Sequence, residues 1–295
     1  MNRGSQSPVR AAARPAIDDG SIDHPRPAAS SDSPSPAEQA PVDSLHATPP
    51  TIALTLPGGL NRSVSWGHPW QYLSAAYWVE RTREWGKRRP STDRPHRLGT
   101  NFREEVIACL LGGHGITYEL NIAAYHAVRA AGCLDDSSRA AAAEVIHVLS
   151  QPLVVGDRRI HYRFPNQKGA RVADALARLR TEMTPPDPLD ARAWLLGFGG
   201  IGPKTASWIV RNHYGTDDVA IIDIHIWRAG IRANIFDEDW TPNRNYWVME
   251  SAFLQWARFG DVKAADLDAV MWVEQASAVR RGPRVTHTQD PLSGL

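Results

Sequence analysis

The sequence predicts an all-α fold: two helical lobes with a cleft between them, preceded by a disordered N-terminal tail. Three observations lead there. From about residue 69 onward, apolar residues recur at helical spacing in run after run, separated by Gly and Pro, while strand-like alternation is confined to Ile52, Leu54 and Leu56. Residues 1–50 hold nine prolines and almost no large apolar side chains, so they cannot bury enough surface to offset the entropy of ordering. Hydrophobic residues make up 42% of the 295-residue chain, and eleven tryptophans are among them, which is ample for a buried core. The expected organisation is a tail over 1–50, a helical domain over 51–285 and a frayed end over 286–295.

Ordered structure is expected from Thr51, with a short extended piece ending at the turn Pro57-Gly58-Gly59. The pattern from Pro69 to about Trp85 is helical, carried by Tyr72, Leu73, Ala76 and Tyr77. A basic loop over 81–97 follows, with Arg81, Arg83, Lys87, Arg88, Arg89, Arg94 and Arg97; it is either a phosphate-binding patch or a solvated surface. Asn101–Leu111 reads as a helix with Phe102, Val106 and Leu110 on one stripe, closed by Gly112-Gly113. Tyr118–Ala131 reads as another, ended by Gly132, and Ser137–Leu149 as a third, capped by its serine. Pro152–Gln167 is irregular, whereas Lys168–Arg180 is amphipathic on Val172, Leu176 and Leu179. Three prolines, 185, 186 and 188, break the chain before a helix over Leu189–Leu196, and two later helices cover Arg244–Arg258 and Ala265–Arg280.

The densest signal lies in Leu196–Gly230. Gly197, Gly199, Gly200 and Gly202 make a tight turn, expected to need positive φ and close backbone approach. Pro203 then opens a helix in which Ala206, Ile209 and Val210 share an apolar face. Two helices joined this way, over about 189–214, form a helix-hairpin-helix, and a glycine-preceded helix start is a site for an anion such as a nucleic-acid phosphate. Lys204 lies in the first turn of the second helix, at the positive end of the macrodipole. Nineteen residues later, after the apolar run Val219-Ala220-Ile221-Ile222, Asp223 precedes an apolar-periodic helix over Ile224–Ala233 and reads as its N-cap. An amine nucleophile and a fixed carboxylate on two helix starts suit attack at a sugar carbon followed by a Schiff base.

The run Gly200-Ile201-Gly202-Pro203-Lys204-Thr205-Ala206, with Asp223-Ile224-His225 after it, resembles the helix-hairpin-helix DNA glycosylase superfamily. The resemblance implies that Lys204 is the Schiff-base lysine and Asp223 the catalytic aspartate, and that Gly200, Gly202, Thr205 and His225 face the DNA backbone. AYWVE at 76–80 and NFREEVIACLLGGHGI at 101–116 are similar to the 8-oxoguanine glycosylase-like branch. That branch implies a base pocket in which Asp268 reads the base edge, Trp272 stacks four residues on, and Trp208 meets the opposite face. Asp268 departs from the amide usual there; a carboxylate only accepts, so it fits the N–H groups of guanine and equally an exocyclic amine of cytosine. The expected activity is removal of a damaged base, first of all 8-oxoguanine, with β-elimination at the resulting abasic site. Two alternatives stand beside it: the same chemistry on another modified base, for example of foreign DNA, and a non-catalytic module in which Lys204 only grips phosphate.

The composition narrows the partners. Cys109 and Cys133 are the only cysteines, so a four-cysteine iron–sulfur cluster is excluded, and no cofactor or metal is expected. No apolar stretch approaches the ~18 residues of a membrane span, and no signal-peptide core is visible, so a cytoplasmic protein with no membrane contact is expected. A net charge of +1 is small for a protein acting on double-stranded DNA, so contact must come from a concentrated patch and backbone amides. The chain is expected to act as a monomer.

Overall fold

A computed structural model describes residues 50–88, 97–113, 115–135 and 141–281, with side chains as far as Gln275. The expected tail (Pro50 apart), Arg89 and Arg94 of the basic segment, Ser137 with its cap, and the frayed end over 286–295 lie outside the described residues. The described chain is helical: α1 (Ala75–Arg88), α2 (Phe102–Leu111), α3 (Tyr118–Ala130), α4 (Ala142–Ser150), α5 (Pro165–Thr181), α6 (Pro188–Leu195), α7 (Pro203–Tyr214), α8 (Ile224–Arg232), α9 (Pro242–Phe259) and α10 (Ala264–Arg281). Two small antiparallel hairpins accompany them, β1 (Thr51–Leu56) with β2 (Leu60–Ser65), and β3 (Leu153–Val155) with β4 (Arg158–Ile160).

Two separate hydrophobic cores define two lobes. The first gathers α2 to α7 around Ile107, Leu111, Val128, Leu149, Leu176, Leu195 and Ile209, and its last member is Val219. The second joins the β1–β2 hairpin and α1 to everything from Ala220 onward, around Leu54, Trp78, Phe236, Phe253, Trp256 and Leu267. The chain therefore passes from one core to the other within a single peptide bond, between Val219 and Ala220. Lys204 and Asp223 stand on opposite sides of that crossing.

Most elements start where local chemistry tells them to. Asn101 accepts the Glu104 N–H to open α2, and Thr117 accepts that of Leu120 to open α3. Asp187 accepts the N–H groups of Leu189 and Asp190 ahead of Pro188, the first residue of α6. In β1, Ile52, Leu54 and Leu56 point inward, and Gly58 and Gly59, at φ +81° and +76°, turn the chain into β2 with Leu56 opposite Leu60. The second strand, LNRSVS, has too weak an alternation to be read from sequence.

Several boundaries differ from expectation. The segment 66–74 makes turns, with Leu73 at φ +65°, and α1 begins only after Ser74, whose hydroxyl accepts the Tyr77 N–H at 3.1 Å. The helix then runs on to Arg88, so residues 81–88 are helical and not a loop. Arg81 there pairs with Glu84 and Glu274, and Arg83 pairs with Glu80 and donates to the Gly260 carbonyl. Helix α4 starts at Ala142, after an N-cap, Ala141, that makes no side-chain bond. The stretch expected to be irregular holds the β3–β4 hairpin, bent at Gly156, and α5 begins at Pro165, whose fixed φ suits a first helical position.

One buried carboxylate fastens the crossing between the lobes. Glu250 on α9, 5% exposed, accepts the Ser207 hydroxyl of α7 at 3.1 Å and the Ala220 N–H at 3.0 Å through Oε1. Its Oε2 accepts Arg192 of α6 at 2.7 Å. Tyr246, one turn earlier on α9, donates to the Ala220 carbonyl at 2.7 Å. Removing one side of a buried, hydrogen-bonded ion pair leaves its partner uncompensated, so Glu250→Ala should lower unfolding free energy by ~3–5 kcal/mol. Arg62→Ala, which breaks a half-exposed pair with Asp237, should cost under ~1 kcal/mol. Urea denaturation of the two variants tests the contrast; equal losses would show that Glu250 does not clasp the lobes.

Candidate functional site

The turn between α6 and α7 is held by what it buries. Phe198 and Ile201 plug into the first core, and successive bonds run from the N–H of Gly197, Phe198 and Ile201 to the carbonyls of Trp194, Leu195 and Phe198. Gly199, Gly200 and Gly202 are left exposed. Of the four turn glycines, Gly200 alone has a positive φ, +85°. The expectation that all four need glycine's freedom is corrected: Gly202, at φ −97° and ψ −179°, is extended, and a Cβ there would meet nothing within 4 Å. At Gly200 a Cβ would fall 2.5 Å from Cδ of Arg171, because that side chain lies across the glycine. Arg171 thus brings a cation to the hairpin from α5, a residue the sequence offered only as one polar position of an amphipathic helix.

Helix α7 opens with Pro203, Lys204 and Thr205, with no acidic residue in its first turn and no side-chain cap from Gly202. Lys204 and Thr205 are half-buried. An uncapped helix start beside exposed glycines and Arg171 is arranged for an anion. Asp223, half-buried, is the N-cap of α8, its Oδ1 accepting the N–H groups of His225 and Ile226 at 2.8 and 2.9 Å. The His225 carbonyl accepts the Gln275 amide of α10 at 2.8 Å, and its Nδ1 is buried with no partner among the described residues.

Asp268 ties these groups together electrically. Burial pushes its carboxyl up, to about 7; Arg211 and Lys204 pull it down, and Asp223 adds to the rise. Lys204 and Asp223 therefore share one neighbourhood around Asp268. The structure pairs Asp268 with a residue that the sequence did not connect to it. It is 7% exposed, and Oδ2 accepts Arg211 Nη1 at 2.5 Å. Arg211 in turn donates to Asn212 Oδ1, and Asn212 Nδ2 donates to Glu105 Oε1 at 2.8 Å. A polar chain thus runs from α2 through α7 to α10, and it engages Asp268 through Oδ2.

Trp272 is half-buried between two rings, 6.2 Å from Tyr118 and 6.3 Å from His225. Trp208, also half-buried, packs against the first core and reaches Gly112, where a Cβ would lie 3.1 Å from its ring. Lys168 closes the end of α2 nearby, its Nζ donating to the carbonyls of Leu110 and Gly112 at 2.5 and 2.6 Å. Burial lowers this amine to about 8, with Arg171 and Lys204 adding to the fall. Lys168 and the polar chain escape sequence reading because each joins elements far apart in the chain. Among the described residues no three His, Cys, Asp or Glu side chains converge as metal ligands would.

Comparison with known proteins identifies the region that carries this geometry. The family described as 8-oxoguanine DNA glycosylase matches residues 121–261. Over that region, just under half of the chain, the sequence is similar to the 8-oxoguanine DNA glycosylase family. The matched span holds the hairpin, Lys204, Thr205, Trp208, Asp223 and His225, while Asp268 and Trp272 lie beyond it. An 8-oxoguanine DNA glycosylase/AP lyase of Metallosphaera sedula is 34% identical over 116 residues, 38% of this chain, and the chain spans 57% of that relative's length. The solved 8-oxoguanine DNA glycosylases of Thermotoga maritima and Methanocaldococcus jannaschii are 20% and 21% identical, with TM-scores of 0.47 and 0.48. They cover 70% and 69% of this chain, which covers 90% and 87% of theirs.

Two of the exposed glycines, Gly200 and Gly202, separate fold from binding. Gly200→Ala should cost about 1 kcal/mol or more, since it puts a side chain at positive φ against Arg171. Gly202→Ala should leave the melting temperature unchanged or slightly raised and weaken binding to duplex DNA, because its Cβ meets only what docks there. A fall in melting temperature for Gly202→Ala with unaltered DNA binding would remove this face from the interface. Asp268 makes a prediction in pH. The folded carboxyl keeps its proton up to about 7 while the unfolded one releases it near 3.8, so the wild-type chain loses stability from this group as pH rises through that window. The stability gap between wild type and Asp268→Asn should be largest at the acid end, shrink as pH rises towards about 7, and level off above it. Denaturation midpoints across that range test it; a gap that widens with pH would contradict the raised value.

Proposed function

We propose that this protein is a DNA glycosylase with AP lyase activity that removes 8-oxoguanine from double-stranded DNA by a lysine Schiff base. The observation that carries the reading is the placement of Lys204, second residue of α7, and Asp223, N-cap of α8, both of which act on the Asp268 carboxyl. The family match over 121–261 and the relative named 8-oxoguanine DNA glycosylase/AP lyase support the substrate and the lyase step.

On this reading, phosphates of one strand meet the outer face of the hairpin at Gly200, Gly202 and Thr205, with Arg171 alongside and His225 on the backbone of the other lobe. The target base leaves the stack, since its glycosidic bond is out of reach within the duplex. Trp208 and Trp272 supply the apolar faces that receive it. The bond from C1′ to the base nitrogen breaks, its electron pair leaves with the base, and the Asp223 carboxylate stabilises the cationic sugar that develops. The amine nitrogen of Lys204 adds to C1′; ring opening and loss of a proton give the Schiff base. Loss of a C2′ proton then expels the 3′ phosphate by β-elimination. Asp223 is suited to its part because two backbone N–H groups fix one oxygen and leave the other free to face the sugar. The site lies within one chain, in keeping with a monomer. Cys109 and Cys133 are buried free thiols, in keeping with a reducing, cytoplasmic setting.

Lys204→Gln should abolish both base release and the borohydride-trapped adduct while keeping most DNA affinity. Asp223→Asn should lower single-turnover excision by a factor of roughly 100 to 1,000, the scale of losing one fixed electrostatic contact to a developing charge. Trapping by Lys204→Gln, or unchanged excision by Asp223→Asn, would reject these roles.

A further inference from the structure

Asn121 has no role in anything described so far, and its surroundings are unusual. It sits in the first turns of α3, 2% exposed, and neither Oδ1 nor Nδ2 has a hydrogen-bond partner among the described residues. A buried carboxamide with both halves unpaired opposes folding, because water satisfied each of them in the unfolded chain. It also lies at the base pocket. A Cβ on Gly112 would fall 3.1 Å from Asn121 Nδ2 and 3.1 Å from Cζ3 of Trp208, so amide and indole border the same glycine. The Gly112 carbonyl beside it already accepts from Lys168. Asn121 still holds both a donor and an acceptor.

We infer that Asn121 reads the edge of the everted base, and that it selects a purine whose Hoogsteen edge sets an N–H beside a carbonyl oxygen. This rests on the glycosylase reading above. A carboxamide offers a donor next to an acceptor and satisfies both only against the complementary pair. Guanine presents N7 and O6, two acceptors, so the Asn121 carbonyl would face a lone pair. Oxidation at C8 moves a proton onto N7 and places a carbonyl beside it, and the mismatch becomes a match. Adenine, with N7 and its amino group, also satisfies an amide, so this contact alone distinguishes oxidised guanine from guanine and not from adenine. The amide is buried in this structure, and Trp208, half-buried, borders the same glycine.

The test compares wild type with Asn121→Leu and Asn121→Asp in single-turnover excision from duplexes holding 8-oxoguanine, guanine or adenine. Borohydride trapping on preformed abasic DNA, where no base is read, serves as the reference. For both variants the ratio of 8-oxoguanine excision to trapping should fall about 10- to 100-fold, the discrimination supplied by one bidentate base contact. The melting temperature of Asn121→Leu should equal or exceed that of wild type, since an unpaired amide is removed. An unchanged ratio overturns the inference, and so does a marked fall in melting temperature, which would mean that the amide is bonded within the folded protein. A wild type that traps abasic DNA but leaves 8-oxoguanine in place overturns it while sparing the lyase chemistry. One that neither traps nor excises defeats the glycosylase reading itself.

Discussion

Glu250 is the constraint on which the relative placement of Lys204 and Asp223 depends. The two residues belong to different cores, and the chain changes core between Val219 and Ala220. A crossing that brief has no secondary structure to hold it, since the backbone from 216 to 223 forms neither helix nor strand. Glu250 supplies the missing constraint by taking bonds from Ser207 on one side and the Ala220 N–H on the other, with Arg192 balancing its charge. Helix α7, which carries Lys204, and the segment leading to Asp223 are thus referred to one carboxyl group. Position matters more here than strength, because apolar residues of similar volume often stabilise a fold as well as a buried ion pair does.

The second polar chain, Glu105–Asn212–Arg211–Asp268, works in the same way closer to the chemistry. It joins α2 and α7 of one lobe to α10 of the other, and it leaves a buried carboxyl, raised by burial, next to Lys204 and Asp223. Proteins tolerate such groups only when every member finds a partner. Glu105 meets that condition fully, since Oε2 accepts the N–H groups of Leu98 and Gly99 at 2.8 and 2.7 Å while Oε1 accepts Asn212. Against that standard the empty amide of Asn121 stands out: the same lobe that satisfies a fully buried glutamate leaves a neighbouring carboxamide bare.

What the sequence disclosed and what it withheld follow the range of the interactions. The hairpin, the Asp223 cap and the α2, α3 and α6 to α10 helices were legible because glycine, proline, capping residues and apolar spacing act over a few positions. Helix starts failed where a tertiary contact or an irregular turn decided them: α1 waits for Ser74 after the strained turn at Leu73, and α4 begins without a capping side chain. The family resemblance offered Asp268 as a candidate site residue, and nothing local pointed to its partner Arg211, 57 positions away. Arg171 over Gly200, Lys168 on the end of α2, and Glu250 at the crossing were out of reach for the same reason. Each is an ordinary charged residue on a helix until the fold shows what it faces.

The near-neutral charge of the chain also takes on meaning from the structure. Many of its arginines are committed to the fold: Arg62 to Asp237, Arg81 to Glu84 and Glu274, Arg178 to Glu182, Arg192 to Glu250 and Arg211 to Asp268. An arginine paired at 2.7 Å with a carboxylate neutralises no phosphate, so a count of basic residues overstates the field available to DNA. What remains at the hairpin is local: exposed glycines, the uncapped start of α7, and Arg171 lying across Gly200. Binding built on backbone N–H groups and one or two cations releases few counterions. On the proposed reading its strength depends on how closely the backbone approaches the phosphate, and an open, extended Gly202 suits that approach although its conformation suits any residue.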